Sequence, residues 1–354
     1  MDQLDRSDKK VAIWLLIGVC MTIIQVALGG ITRLTGSGLS ITEWNIITGI
    51  LPPLNETAWM AEFHKYQQTP QFQLLNFEFT LKDFKFIFFW EWFHRVWARS
   101  IGIVFAIGFI WFLWKKAFKK AMIKPLVILF FLGALQGAVG WIMVASGLTG
   151  DAVYVKPTRL ALHFILALGL LSYTFWFALS FLIDKTQFVQ NIKARKYNIL
   201  LLIIMLFQLL YGALMAGHKA ANIAATWPTI NGEWLPNQMF KDQPLVLNFI
   251  DNTILIHFIH RGLAYLITVI IIIWTIQLKK INGPTVFNVA RNFPIILVLL
   301  QVILGITSVL VSTSILPGSW GIFEWMAQLH QLTGMLLLLS IVLMLFLVRK
   351  EKGY

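Results

Sequence analysis

Residues 84–114 read FKFIFFWEWFHRVWARSIGIVFAIGFIWFLW, and this stretch decides the fold. It is apolar for longer than the roughly 20 residues that a bilayer crossing requires. Yet Glu91, His94, Arg95 and Arg99 sit within it on neighbouring turns. An ionisable side chain inside a bilayer costs about 3 kcal/mol on insertion scales and is usually kept for function. The reading is a membrane-spanning helix that carries chemistry.

The rest of the chain has the same character. Of 354 residues, 58% are hydrophobic and 13% charged, with a mean hydropathy of +0.74. A soluble domain could not hide that much apolar surface, so the expected fold is an all-α polytopic membrane protein. Apolar runs place eight spans near 11–31, 84–114, 124–146, 160–183, 198–217, 253–278, 293–313 and 326–348. The second is unusually long, so its first turns should lie outside the hydrocarbon.

Positive charge sets the orientation. One side holds 18 Lys/Arg, among them Lys9, Lys10, Lys115, Lys116, Lys193, Arg195, Lys279 and Lys280. The longer loops opposite hold eight, including Arg33, Lys65 and Arg159. Both termini are therefore expected in the cytoplasm. The N-terminus has neither the pattern of a cleavable signal nor that of an Arg-rich transit peptide, and a bacterial inner membrane is the simplest home. The net charge of +13 then implies contact with anionic lipid and not with nucleic acid. Cys20 is the only cysteine, which excludes an intramolecular disulfide or a thiolate cluster.

The chain repeats itself. His94-Arg95 recurs as His260-Arg261, and His163 recurs as His330, at offsets of 166 and 167 residues. Gln136-Gly-Ala-Val-Gly140 aligns with Gln301-Val-Ile-Leu-Gly305, and Gln25 with Gly29 and Gly30 aligns more weakly with Gln208 and Gly212. Four spans separate each element from its copy, so both halves have the same orientation: a parallel repeat. Two tandem four-helix bundles, 1–190 and 191–354, are the expected architecture. Loops 32–83 and 218–252 are long on the outer side only, which marks that face as functional.

All four histidines lie toward that face, on the second, fourth, sixth and eighth spans. One membrane histidine alone reads as a helix–helix hydrogen bond. Four in register read as metal ligands. Imidazole also suits copper or zinc, but a pair across a roomy bundle favours a six-coordinate haem iron, so two haem sites are expected. Arg95 and Arg261 follow ligand candidates. They fit either snorkelling to headgroups or pairing with haem propionates. Glu91 shares a helix face with His94, and its simplest role is an ion pair with Arg95. Its counterpart is His257, not an acid, so the halves share a ligand frame but differ in reactive neighbours. Glu91 thus marks the N-terminal half as the reaction site. Small residues between Gly30 and Trp44 allow tight turns against a ligand. His64 and His218 have no counterparts and read as loop or interfacial residues.

The segment 29–40 (GGITRLTGSGLS), Glu43-Trp44, Glu91 through Arg95, His260-Arg261 and His330 together resemble the haem A synthase family. The likeness covers nearly the whole chain. It implies an oxidoreductase that converts the C8 methyl of haem O to a formyl group, with water as the oxygen source and the product destined for cytochrome c oxidase. It implies haem b as cofactor on His260 and His330, substrate haem on His94 and His163, and an essential Glu91. A haem O synthase and an electron-transfer protein are the implied partners, and a homo-oligomer is left open. Many bacterial relatives carry cysteine pairs in the outer loops and this chain has none, which resembles the mitochondrial and proteobacterial branch. The competing class is a di-haem b-type electron carrier, which would want one haem near each face. A transporter would want broken spans at the midplane, and the sequence shows none.

Overall fold

A computed structural model describes residues 6–44, 48–315 and 320–349. It is helical almost throughout, and eight helices are long and apolar enough to cross a membrane. They are α1 (Arg6–Leu34), α2 (Leu81–Trp114), α3 (Lys120–Ala145), α4 (Pro157–Leu182), α5 (Ile192–Gly217), α6 (Thr253–Lys279), α7 (Phe293–Leu310) and α8 (Ile322–Leu347). The expected spans are all present, and most begin a few residues earlier than the apolar run does. Helical hydrogen bonding continues into polar residues until a cap stops it. Thr80 and Asp83 form a reciprocal capping box at α2, and Asn191 and Asn252 cap α5 and α6. The one interruption lies at the start of the seventh span. A short helix, Thr285–Ala290, precedes α7 across Arg291 and Asn292.

Contacts divide the chain into two compact units, and the division runs within α1 and α4. One unit takes in Cys20–Ala167. There α1 packs on α2: Trp97 Nε1 donates to Met21 O at 2.9 Å, and Gln25 Nε2 donates to His94 O at 3.2 Å. In the same unit α3 packs on α4 through Gln136 and His163. Isoleucines 103, 107 and 110 of α2 and Phe130 and Phe131 of α3 face outward, as lipid-facing helices require.

Two short helices, Glu56–Gln67 and Pro70–Leu75, cover the first turns of α2. Phe63 and Tyr66 pack with Phe84, Ile87 and Phe88 into a buried cluster. Protein therefore covers the start of this long helix. Gln71 Nε2 donates to both Gly36 O and Val153 O, which ties the two outer loops of this unit together.

The other unit takes in Leu168–Ile315, α8 and α1 up to Val19. Here α5, α6, α7 and α8 close into a ring, each packed on the next and α8 back on α5. A two-residue parallel pairing, Val189–Gln190 with Val348–Arg349, ties the ends of α4 and α8. The outer loop of this unit forms 3-10 turns, one short helical turn, Asn248–Asp251, and an antiparallel bridge between Ile230 and Glu233.

Candidate haem-binding sites

Each of the four repeated histidines projects from an even-numbered helix onto the preceding odd-numbered one. In all four cases it meets a glycine four residues after a glutamine. His94 lies against Gly29, His163 against Gly140, His260 against Gly212 and His330 against Gly305. The matching glutamines are Gln25, Gln136, Gln208 and Gln301. The sequence showed these segments and the histidines as separate repeats; the fold makes them one. His163, His260 and His330 sit in the second or third turn of their helices, and His94 lies further along because α2 carries the covered extension.

In the C-terminal unit the rings of His260 and His330 are 6.3 Å apart, centre to centre, with planes at 73°. A metal held between two imidazoles, about 2 Å from each ring nitrogen, puts the ring centres roughly 6 Å apart. The separation of the two rings is therefore compatible with one metal held between them. His330 Nδ1 donates to Gln301 O at 3.1 Å, so Nε2 is the unprotonated nitrogen, and the Gln301 amide lies 3.2 Å from it. Both histidines are half-buried. Among the described residues no group of three or more His, Cys, Asp or Glu gathers as a metal site. A macrocycle that brings its own four nitrogens needs only two.

Beside His94 and His260 stands an arginine that holds the outer loop. Arg95 donates through Nη1 to Glu43 O at 3.0 Å and through Nη2 to Ile41 O at 3.1 Å, and it stacks over Trp44. Arg261 donates to Thr226 O, Thr229 O and Ala224 O at 2.8–3.1 Å. A planar five-donor fork suits several carbonyls at once. The loop-clamping role of both arginines was invisible in the sequence, because its acceptors are backbone carbonyls.

The units differ at the residue one turn before. Glu91 is 2% exposed. Its Oε1 accepts from Arg95 Nη2 at 2.6 Å, and its Oε2 accepts from Ser40 Oγ at 2.7 Å and from Ile41 N at 2.8 Å. The ion pair expected from spacing is present, and the two loop donors are additional. They come from the glycine-rich exit of α1, which turns at Gly36 (φ +69°) and seats Leu39 against Gly147. In the other unit the equivalent His257 is fully buried. Its Nε2 donates to Ala220 O at 2.7 Å and its Nδ1 accepts from Arg261 at 3.3 Å. A groove of about 300 Å³ opens beside the Glu91–Arg95 pair, lined by Glu43, Glu62, Trp92, Arg95 and Arg99 among others.

The remaining histidines are peripheral. His64 lies exposed on the helix Glu56–Gln67 beside Gln67 Oε1. His218 caps α5 and donates to Ile250 O at 2.7 Å.

Three relatives called haem A synthase are similar to this chain over most of their length. That of Novosphingobium aromaticivorans is 40% identical over 92% of this chain and 91% of its own. Those of Methylobacterium radiotolerans and Flavobacterium johnsoniae are 39% and 37% identical, covering 94% and 88% of this chain and 89% and 93% of their own. Residues 12–342 match the model of the COX15-CtaA family, described as cytochrome oxidase assembly protein. With eight apolar helices and a repeated histidine frame behind that match, the chain belongs to the COX15-CtaA family of cytochrome oxidase assembly proteins.

Proposed function

We propose that this protein is a haem A synthase, an oxidoreductase of the bacterial inner membrane with both termini in the cytoplasm. The observation that carries the reading is one histidine frame built twice, with a buried carboxylate beside only one copy. The two copies are the halves of a tandem repeat, residues 1–190 and 191–354. In the C-terminal half His260 and His330 would hold haem b, which supplies a one-electron redox centre. In the N-terminal half His94 and His163 hold the substrate, haem O. Arg95 and Arg261 are the propionate partners in this reading, and a propionate bound there competes with the loop carbonyls they hold.

The reaction turns the C8 methyl group into a formyl group. With water as the oxygen source, it releases four electrons and four protons for each methyl oxidised. The electrons leave to an electron-transfer partner, and a haem O synthase supplies the substrate. What Glu91 does follows from its contacts. Both carboxylate oxygens already accept hydrogen bonds, three donors in all. Three donors on the carboxylate's roughly four lone-pair sites fix it in place, and a charge fixed in place is what an electrostatic role needs. Glu91 is therefore assigned to stabilise positive charge that develops at the methyl carbon, an electrostatic role fixed before the reaction begins.

Extraction of the pigments from purified protein tests this. Haem B together with haem O and haem A is the expected set. Haem B alone, at two per chain, would instead identify a di-haem electron carrier.

A further inference from the structure

The four Gln-x-x-x-Gly segments have no part in the function proposed so far. In an apolar helix a glutamine is expensive, because an acceptor left unpaired in the interior costs about 1–3 kcal/mol. Gln25, Gln136, Gln208 and Gln301 each leave a buried Oε1 with no hydrogen-bond partner. The amide is kept at all four places despite that cost. Its N–H group is the part in use: every one of the four points at the histidine of the neighbouring helix. Gln25 and Gln136 donate to the backbone carbonyls of His94 and His163. Gln208 and Gln301 place Nε2 at 3.4 and 3.2 Å from Nε2 of His260 and His330.

The spacing of four has a geometric reason. In an α-helix the carbonyl of residue i points at the amide of residue i+4. A side chain at i+4 would shield that carbonyl from a neighbouring helix, and glycine does not. At Gly305 the ring of His330 has come in over the bare backbone, so Nδ1 reaches Gln301 O at 3.1 Å. Gln301 thus meets both edges of the ring, its carbonyl taking the Nδ1 proton and its amide facing Nε2. Only the tautomer protonated on Nδ1 satisfies both contacts, and a metal on Nε2 would take the place of the Gln301 amide at that nitrogen. A Cβ on these glycines would lie 2.8 Å from His163 at Gly140, 2.9 Å from His330 at Gly305, 3.1 Å from His260 at Gly212 and 3.4 Å from His94 at Gly29.

We propose that the Gln-x-x-x-Gly segments are positioning elements for the four histidines. The glycine admits the ring at all four places, and on α7 the Gln301 carbonyl four residues earlier sets the rotation of His330 so that Nε2 faces the iron. This rests on the haem reading above. A carbonyl that accepts from the far nitrogen raises the basicity of a ligating imidazole, so the segment on α7 also tunes the C-terminal centre toward the ferric state.

The test is haem quantification and redox titration of the full-length protein in detergent. Gly305→Ala should push His330 off the Gln301 carbonyl. Either the haem b is lost, or it stays with a higher midpoint potential; a tenfold loss of ferric preference corresponds to about 59 mV. Gln301→Leu keeps the carbonyl and removes only the amide, so its potential should move less. Gly133→Ala, whose added Cβ meets nothing within 4 Å, should match the native chain in both measurements. Native haem content and potential in Gly305→Ala, with only the protein yield lowered, would overturn the proposal and leave the glycine a packing residue. A native chain that purifies without haem would instead overturn the haem reading itself, and the quantification separates that result from the former.

Discussion

The proposed function concentrates the chemistry of the N-terminal site in one side chain, Glu91. Its charge is balanced by Arg95 one turn on and fixed by Ser40 and the Ile41 amide. At the same place in the other unit His257 makes one bond to the loop and one to the arginine, without a charge. A neutral group is thus enough to seat the arginine, which supports the further role proposed for the carboxylate. Glu91→Gln separates the two roles. It should insert and hold haem at native yield, while haem A formation falls by about two orders of magnitude, as expected on losing an electrostatic stabiliser. If the contact with Arg95 were only structural, the yield would fall and activity per haem would stay near the native level.

At the scale of elements, the outer-loop helices and the first turns of α2 form a small protein-covered core above the apolar span. Tyr66 lies at its centre, stacked on Phe84 at 5.3 Å. Its hydroxyl donates to Gln71 Oε1 at 3.0 Å and accepts from Asn76 Nδ2 at 2.7 Å. Burial pushes the Tyr66 phenol up to about 12, against an ordinary value near 10. The folded chain therefore holds this proton more tightly than the unfolded chain does. The stability it contributes is complete below about pH 10 and is lost as pH rises toward 12. Thermal unfolding between pH 9 and roughly 12 should show that loss in the native chain and a flatter profile in Tyr66→Phe. Equal slopes would place the alkaline sensitivity elsewhere. The sequence indicated that this part of α2 lies outside the hydrocarbon, but not what covers it. The covering helices are short, and Phe63, Tyr66 and Phe72 acquire a common face only by docking.

At the scale of the molecule, the proposed function gives two histidine frames of one design different tasks, and substitution of the histidines tests that division. His260→Ala and His330→Ala should strip haem b from the purified protein, since each removes one axial ligand of the pair 6.3 Å apart. His94→Ala and His163→Ala should retain much of the haem b and make no haem A. Loss of haem b from the N-terminal variants as complete as from the C-terminal ones would reverse the assignment of the halves.

Composition and spacing determined the eight spans, because a bilayer demands a length and a hydropathy that few other environments do. They also determined the histidine register and the Glu91–Arg95 pair, since one turn of helix brings those two side chains together whatever else the chain does. What only the tertiary structure decided was which surfaces meet. That the glycines of α1, α3, α5 and α7 lie under the four imidazoles depends on packing between helices. That Arg95 and Arg261 clamp the outer loops, and that Ser40 and Ile41 complete the seat of Glu91, depends on the path of the loops. Apart from the Ser40 hydroxyl, these partners are backbone groups, and every residue carries the same carbonyl and nearly every one the same amide. A sequence records side chains; which backbone groups are left open to be bonded appears only once the chain has folded.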